Sequence, residues 1–80
     1  MYSRRMIEVA ALLAEGMGRR QVAETLHLSE ETVKKHMLYL RQQRGSNNTV
    51  AAVVDAFRER ALVYDWKDKK YRPNREMFGE

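Results

Sequence analysis

Residues Ser29 to Gly45, SEETVKKHMLYLRQQRG, decide how the whole chain is read. Ser29 is a helix cap: its hydroxyl accepts from the free amides of the next turn, and Glu30 and Glu31 suit the positive end of the helix dipole. Gly45 closes the segment, being the residue type that most readily takes the left-handed conformation beyond a helix. Between them Val33, Met37 and Leu40 recur at helical spacing as one apolar stripe, which reads as core. At about 100° per residue, Lys34, Leu38, Arg41 and Gln42 fall on the opposite face, with Lys35 and Glu31 at its edges. One side is made for burial. The other carries cations, an amide and an aliphatic side chain, which are the groups that meet base edges, phosphates and a thymine methyl in a DNA groove. Residues 30–44 are therefore expected to form a recognition helix.

Moving toward the N-terminus, His27-Leu28-Ser29 separates this helix from a short one expected over Arg19–Leu26, with Val22, Ala23 and Leu26 on its inner face. Two short helices joined by about three residues make a helix-turn-helix, whose second helix lies in the major groove. Arg19 and Arg20 fall where helix amides also point outward, a combination that favours a phosphate. Gly18 is an acceptable cap. A first helix is expected from a Ser3 cap to about Glu15, stopped by Gly16, with Met6, Val9, Ala10, Leu12 and Leu13 as its apolar face. Tyr2 is placed to pack on Ile7 as a hydrophobic staple.

Beyond Gly45, Thr49 is expected to cap a fourth helix running to about Val63. Its apolar residues divide. Val50, Val54, Phe57 and Ala61 are assigned to the core, while Ala52, Ala56 and Val63 form a strip of mostly small side chains. That strip is either further core or a surface where another helix approaches closely, and it is the candidate dimer or partner surface. The end of the chain, YDWKDKKYRPNREMFGE, mixes aromatics with charges of both signs. Tyr64, Trp66 and Tyr71 are expected to fold back onto the helices, and disorder or partner-dependent order is expected from Arg72 onward.

Composition bounds the possibilities. Eighty residues make one small domain, 44% hydrophobic and 32% charged, with a formal charge of +4 and a pI near 9.7. A chain of this size has a thin margin of stability. Its basic balance suits an anionic partner. Residues 1–45 hold eight Lys/Arg against five Asp/Glu, and residues 46–80 hold seven against six, so the excess sits in the first half. No cysteine is present, which removes disulfides and thiolate metal sites and fits a reducing cytosol. No apolar run is long enough to span a bilayer. The expected setting is cytoplasmic, with no membrane partner.

The run Leu12-Leu13-Ala14-Glu15-Gly16, then Val22-Ala23, Leu26, Leu28-Ser29, Thr32-Val33-Lys34, His36 and Leu40, closely resembles the LuxR/GerE-type DNA-binding domain. The usual pattern is an LLAEG turn, a short helix, then S-x-x-TVK-x-H with an aliphatic residue four positions later; the likeness covers about residues 2–63. It implies an all-α fold of four helices, the third in the major groove and the fourth commonly mediating dimerisation on inverted half-sites. The reading is thus a LuxR/GerE-type domain over 1–63 with a C-terminal aromatic and charged extension over 64–80, partly packed or disordered. Carried over by position, Lys34, Lys35 and Leu38 fall where family members meet base edges. Thr32 and Arg19, Arg20 and Gln21 fall near phosphates. Gln42 is a further candidate base contact from the geometry of the face, and Arg41 a candidate phosphate contact. Departures are present too: Met6 replaces a usual capping-box glutamate, Gly18-Arg19 a common Ser-Asn, Gln21 a glutamate, and Leu38 a frequent polar reader. Taken as a complete chain, it compares with stand-alone regulators of sporulating bacteria or phages.

The leading expectation is a sequence-specific transcriptional regulator, dimeric on double-stranded DNA, needing no cofactor. The alternative is a protein-interaction module that binds another regulator or RNA polymerase through the fourth helix and the tail. Catalysis is not expected, because no nucleophile–base–orienter set or paired-carboxylate motif stands out. Nor is a metal site: His27 and His36 are nine residues apart in a chain without cysteine. His36 is expected to pack at the helix interface, with a phosphate contact as the sharper option. Arg44 lies nearer the apolar stripe and is expected to drape its stem over the core.

Overall fold

A computed structural model describes residues 1–79. Four helices follow in order, α1 (Arg4–Ala14), α2 (Arg19–Leu26), α3 (Glu30–Gln42) and α4 (Thr49–Arg58). A hairpin of β1 (Leu62–Asp65) and β2 (Lys70–Pro73) and a single turn α5 (Arg75–Phe78) complete the chain.

Three of the four main helices start where the sequence offers a side-chain acceptor. Ser3 Oγ accepts from the Met6 amide at 3.1 Å, Ser29 Oγ from Thr32 at 3.0 Å, and Asn48 Oδ1 from Ala51 at 2.8 Å. Asn48, not the expected Thr49, is thus the cap of α4, one residue earlier. At α2 the bare Gly18 is assisted from inside the helix, since Gln21 Oε1 accepts from the Gly18 amide.

The four helices also share one way of stopping. Gly16, His27, Gly45 and Arg60 all have positive φ, and the next residue donates back across the last turn. These bonds run from Met17 to Leu12, Leu28 to Ala23, Ser46 to Arg41 and Ala61 to Ala56. This is the Schellman closure, which prefers glycine at the left-handed position. Only two of the four positions hold glycine. At His27, φ 57° places a β-carbon in the strained region. His27→Gly is therefore expected to raise stability by about 0.5–1 kcal/mol, the left-handed cost relieved less the extra chain entropy of glycine. A thermal melt checks this, and an unchanged or lower midpoint would show that the imidazole contributes more than its strain.

The Arg60 closure corrects the expected end of the fourth helix. It stops at Arg58 rather than near Val63, because the chain turns left-handed at Arg60 and then runs extended. Leu62, Val63 and Tyr64 are apolar, β-branched or aromatic, and suit a strand. The fold is consequently mostly helical rather than all-α. Strand β1 lies across position 63, and residues 72–79 are placed in β2 and α5 instead of being disordered. Glu80, the last residue of the expected extension, lies outside the described residues.

The hairpin pairs Leu62 with Pro73, Val63 with Arg72, Tyr64 with Tyr71 and Asp65 with Lys70. Asp65 Oδ1 accepts from the amides of Lys67 and Asp68 across its turn, and Arg72 forms ion pairs with Asp65 and Asp68. The Asp68 amide, then that of Lys67 and the Arg72 guanidinium, hold the Asp65 pKa below its ordinary value against the opposing effect of burial. A carboxylate with a depressed folded pKa contributes stability that is full above the unfolded value of about 3.9 and is lost as pH falls through the folded one. Acid titration followed by Trp66 emission should therefore report loosening of the turn in that window. Asp65→Asn should remove the transition, and its persistence in the variant would assign it to another group.

Two clusters make the core. Val9, Val22, Ala23 and Val33 join α1 to the helix pair α2–α3, with Leu13 and Met37 packed against them. Ile7, Ala10, Ala11, Leu40, Ala52, Ala56, Ala61 and Leu62 join α1, α3 and α4 to the hairpin, with Tyr2, Tyr71 and Phe78 at the margin. Here the expected core group of α4 holds only at Ala61, which is buried. Ala52 and Ala56 are enclosed, whereas Val50 is 74% exposed, Val54 41% and Phe57 49%. Ala52 and Ala56 share one buried cluster with Ala10 and Ala11, so these small side chains serve packing within the chain. The proposed partner strip of Ala52, Ala56 and Val63 is corrected accordingly: the first two are interior, and Val63 is half-buried in β1.

Helix α1 is the central layer. Val9 and Leu13 pack toward α3, whereas Glu15 Oε2 accepts from the Tyr71 amide of β2 at 2.7 Å and Ala11 borders the same strand. Ala11 and Glu15 each follow Val9 and Leu13 by two residues, about 200° of rotation. The hairpin and α3 thus lie on opposite sides of α1.

Candidate nucleic-acid interface

The turn His27–Ser29 sets α3 against α2, and Val22, Ala23 and Val33 pack the two together. With Val33 and Leu40 turned inward, the opposite face of α3 is left to solvent. Lys34, Lys35, Leu38 and Gln42 are all exposed there, as the spacing predicts. Neither lysine has an ion-pair partner among the described residues. Two ammonium groups without local carboxylates make a patch that favours an anion, and Leu38 at 41% exposure is the apolar element between them.

Flanking groups are held by their own bonds. The Ser29 hydroxyl donates to Thr32 Oγ1 at 2.9 Å, leaving the Thr32 hydroxyl hydrogen available to an outside acceptor. Arg19 Nε sits 3.5 Å from Glu30, tying the start of α2 to the start of α3. Arg20 pairs with Glu24 along α2 at 3.6 Å, both well exposed. Arg41 is half-buried, and its Nε is enclosed without a partner. Gln21 is exposed but spends its amide oxygen on the Gly18 cap.

His36 is half-buried beside α1, with Nδ1 enclosed and unpartnered. Burial first, and then the charge of Arg5, hold its pKa below the ordinary value. The ring is accordingly neutral at pH 7 and offers an N–H rather than a charge. Arg44 does not drape over the core as expected; it lies bidentate on Glu59, which also receives the Tyr2 hydroxyl. That pair raises the Arg44 pKa and lowers that of Glu59.

One residue of this face is absent from the sequence reading. Tyr39 is 43% exposed, at the edge of the surface that carries Lys35 and Gln42. Its place was available from helix geometry, since Tyr39 is four residues after Lys35. An aromatic in an amphipathic helix is more readily assigned to the core, and that obscured it.

Among the described residues there is no group of His, Cys, Asp or Glu able to hold a metal, and no helix long and apolar enough to cross a membrane. The arrangement defines a helix-turn-helix domain whose second helix presents an unneutralised basic face. Comparison agrees with that class. The family GerE, bacterial regulatory proteins of the luxR family, matches residues 1–56. The transcriptional regulatory protein DegU of Brevibacillus brevis is 36% identical over 56 residues, which is 70% of this chain and 24% of that protein. The chain therefore matches about a quarter of that relative's length. No solved structure matches. The chain belongs to the luxR family of bacterial regulatory proteins, and its hairpin and α5 lie beyond the matched region.

Proposed function

We propose that the protein is a sequence-specific, double-stranded DNA-binding transcriptional regulator that reads the major groove with α3. The observation that carries this is the unpaired, exposed Lys34–Lys35–Leu38–Gln42 face on the second helix of the pair, in a chain of a regulatory family. Lys34 and Lys35 donate to base edges, Leu38 meets a thymine methyl, and Gln42 reads the neighbouring pair. Arg19, Arg20, Gln21, Thr32 and Arg41 fix the register on phosphates, joined by the neutral His36 and by the Tyr39 hydroxyl. The proposed setting is the bacterial cytoplasm or a phage-infected host, where such a regulator would meet its DNA.

Dimerisation on inverted half-sites is part of the proposal, with its surface moved to the exposed residues of α4. Val50, Val54 and Phe57 follow one another at intervals of four and three and form an apolar ridge. Selection from random duplexes, with a salt titration, tests the whole reading. The expected result is an enriched inverted repeat, with affinity falling as salt rises by a slope of about 0.9 per phosphate neutralised. Weak binding without enrichment would refute it. Val54→Glu is expected to preserve half-site binding while abolishing the cooperative gain on the repeat, and unchanged cooperativity would remove the ridge from the dimer.

A further inference from the structure

A groove of about 490 Å³ lies where the end of α4 meets the hairpin, lined by Phe57, Arg58 and Arg60 together with Leu62, Tyr64 and Trp66. Trp66 is 81% exposed, yet its ring is held. It meets Tyr64 edge-on with centroids 4.5 Å apart, Tyr64 meets Tyr71 at 4.9 Å, and Tyr71 meets Phe57 at 6.2 Å, each pair steeply inclined. Such edge contacts are a preferred arrangement of aromatic pairs. The Tyr71 amide is in turn tied to Glu15 of α1. A series of rings thus runs from the core margin to solvent and holds the indole with at least one face open. The expectation that Trp66 folds onto the helices is thereby corrected.

The charge around this ring is one-sided. Arg58 and Arg60 in the groove, and Lys67 and Lys69 in the adjoining turn, are exposed without ion-pair partners among the described residues. The nearby carboxylates are engaged, Glu59 by Arg44 and both Asp65 and Asp68 by Arg72. An open aromatic face among unneutralised cations is the pairing that holds a single nucleic-acid strand, one group for a base and the others for its phosphates.

We infer that this groove is a second nucleic-acid site, specific for single strands: a base stacks on the open face of Trp66, and the flanking phosphates meet Arg58, Arg60, Lys67 and Lys69. The chemistry of the groove decides the class of occupant. A duplex keeps its bases stacked on one another and leaves the indole unused. An extended peptide gains from main-chain bonds at a strand edge. The hairpin offers few: Leu62 is 1% exposed, the Tyr71 amide is taken by Glu15, and position 73 is proline. A second copy of this chain would set two groups of unpaired cations against each other. The site stands independently of the duplex-reading face. Because α1 separates the hairpin from α3, both can be occupied together.

Trp66 is the only tryptophan of the chain, so its emission reports on this groove directly. The test is titration of the full chain with a twelve-nucleotide oligothymidylate and, in parallel, an oligouridylate of the same length. Saturable quenching is expected, with affinity falling as salt rises by a slope of about 0.7 per phosphate neutralised. The tighter of the two oligomers names DNA or RNA as the source of the strand. By anisotropy of the labelled oligomer, Trp66→Ala should lose about tenfold in affinity and Trp66→Phe should regain most of it. The double variant Arg58→Glu, Arg60→Glu should also lose at least tenfold. These variants should keep their circular dichroism and their duplex binding, whereas Lys34→Ala, Lys35→Ala should keep the oligomer. Three results would overturn the inference: no quenching by either oligomer; oligomer binding that survives Trp66→Ala but is lost with Lys34 and Lys35, which would place the strand on α3; or equal quenching by an oligoglutamate of the same charge, which would make the groove a surface for acidic protein segments.

Discussion

A chain shortened to residues 1–61 is expected not to fold. Leu62 is 1% exposed and packs in one cluster with Ile7, Leu40 and Ala56, while Tyr71 and Phe78 close the margin of that cluster. Truncating such a leucine to alanine alone costs about 2–5 kcal/mol. Small domains have about 5–15 kcal/mol in all, and this one is near the lower end of the size range. Removing the hairpin deletes Leu62, Tyr71, Phe78 and the Tyr71–Glu15 bond together, which exceeds what the rest can supply. Circular dichroism should show loss of the cooperative melt in the shortened chain. The milder Leu62→Ala should lower the midpoint by roughly 10–30 °C. An unshifted midpoint in both would make the hairpin an appendage. Surface substitutions that leave the core intact, rather than deletion of residues 64–80, are therefore the way to separate a DNA binder from an adaptor.

Why the tail was misread is a matter of which signals act locally. Helix starts and stops were legible because capping is local: Ser3, Ser29 and Gly45 act on amides and carbonyls within one turn. The inward and outward faces of α3 were legible from its period. The end of α4 was not, because a left-handed Arg60 has no compositional mark, and its carbonyl is met by Asn74, fourteen residues later. Val50, Val54 and Phe57 were assigned to the core for a related reason. Size suggests burial for valine and phenylalanine, yet the buried residues of α4 are Ala52 and Ala56, in one cluster with Ala10 and Ala11 of α1. The sequence reading foresaw close helix approach at Ala52 and Ala56, and the helix that approaches is α1 of the same chain. Of the candidate interface, Lys34, Lys35, Leu38 and Gln42 were placed by periodicity; Tyr39 was passed over, and the neutral state of His36 needed the position of Arg5.

Replacing Lys34 with alanine is expected to weaken binding to the selected site by about 1–3 kcal/mol, with little change on unrelated duplexes, if it holds a guanine edge. Loss of equal size on every sequence would instead place it on a phosphate, and the salt slope would then fall by about 0.9. Lys35→Ala is expected to behave in the same way, and together the two should reduce specific binding to the level of random DNA. Neither side chain bonds within the protein, so the melting temperature should stay within a degree or two of the parent. A variant pair that still selects the same inverted repeat would remove α3 as the reader.

The position of α1 between α3 and the hairpin also governs how the molecule is made. During synthesis the first helix emerges first, but its last cover, the strand that supplies the Tyr71 amide to Glu15, is 56 residues downstream. Until then the nascent chain presents Ala11 and the unfinished Ile7–Leu40 cluster without their lid, and no earlier stopping point closes the core. Closure of the core therefore waits until β2 has emerged, and the domain condenses as one unit around α1.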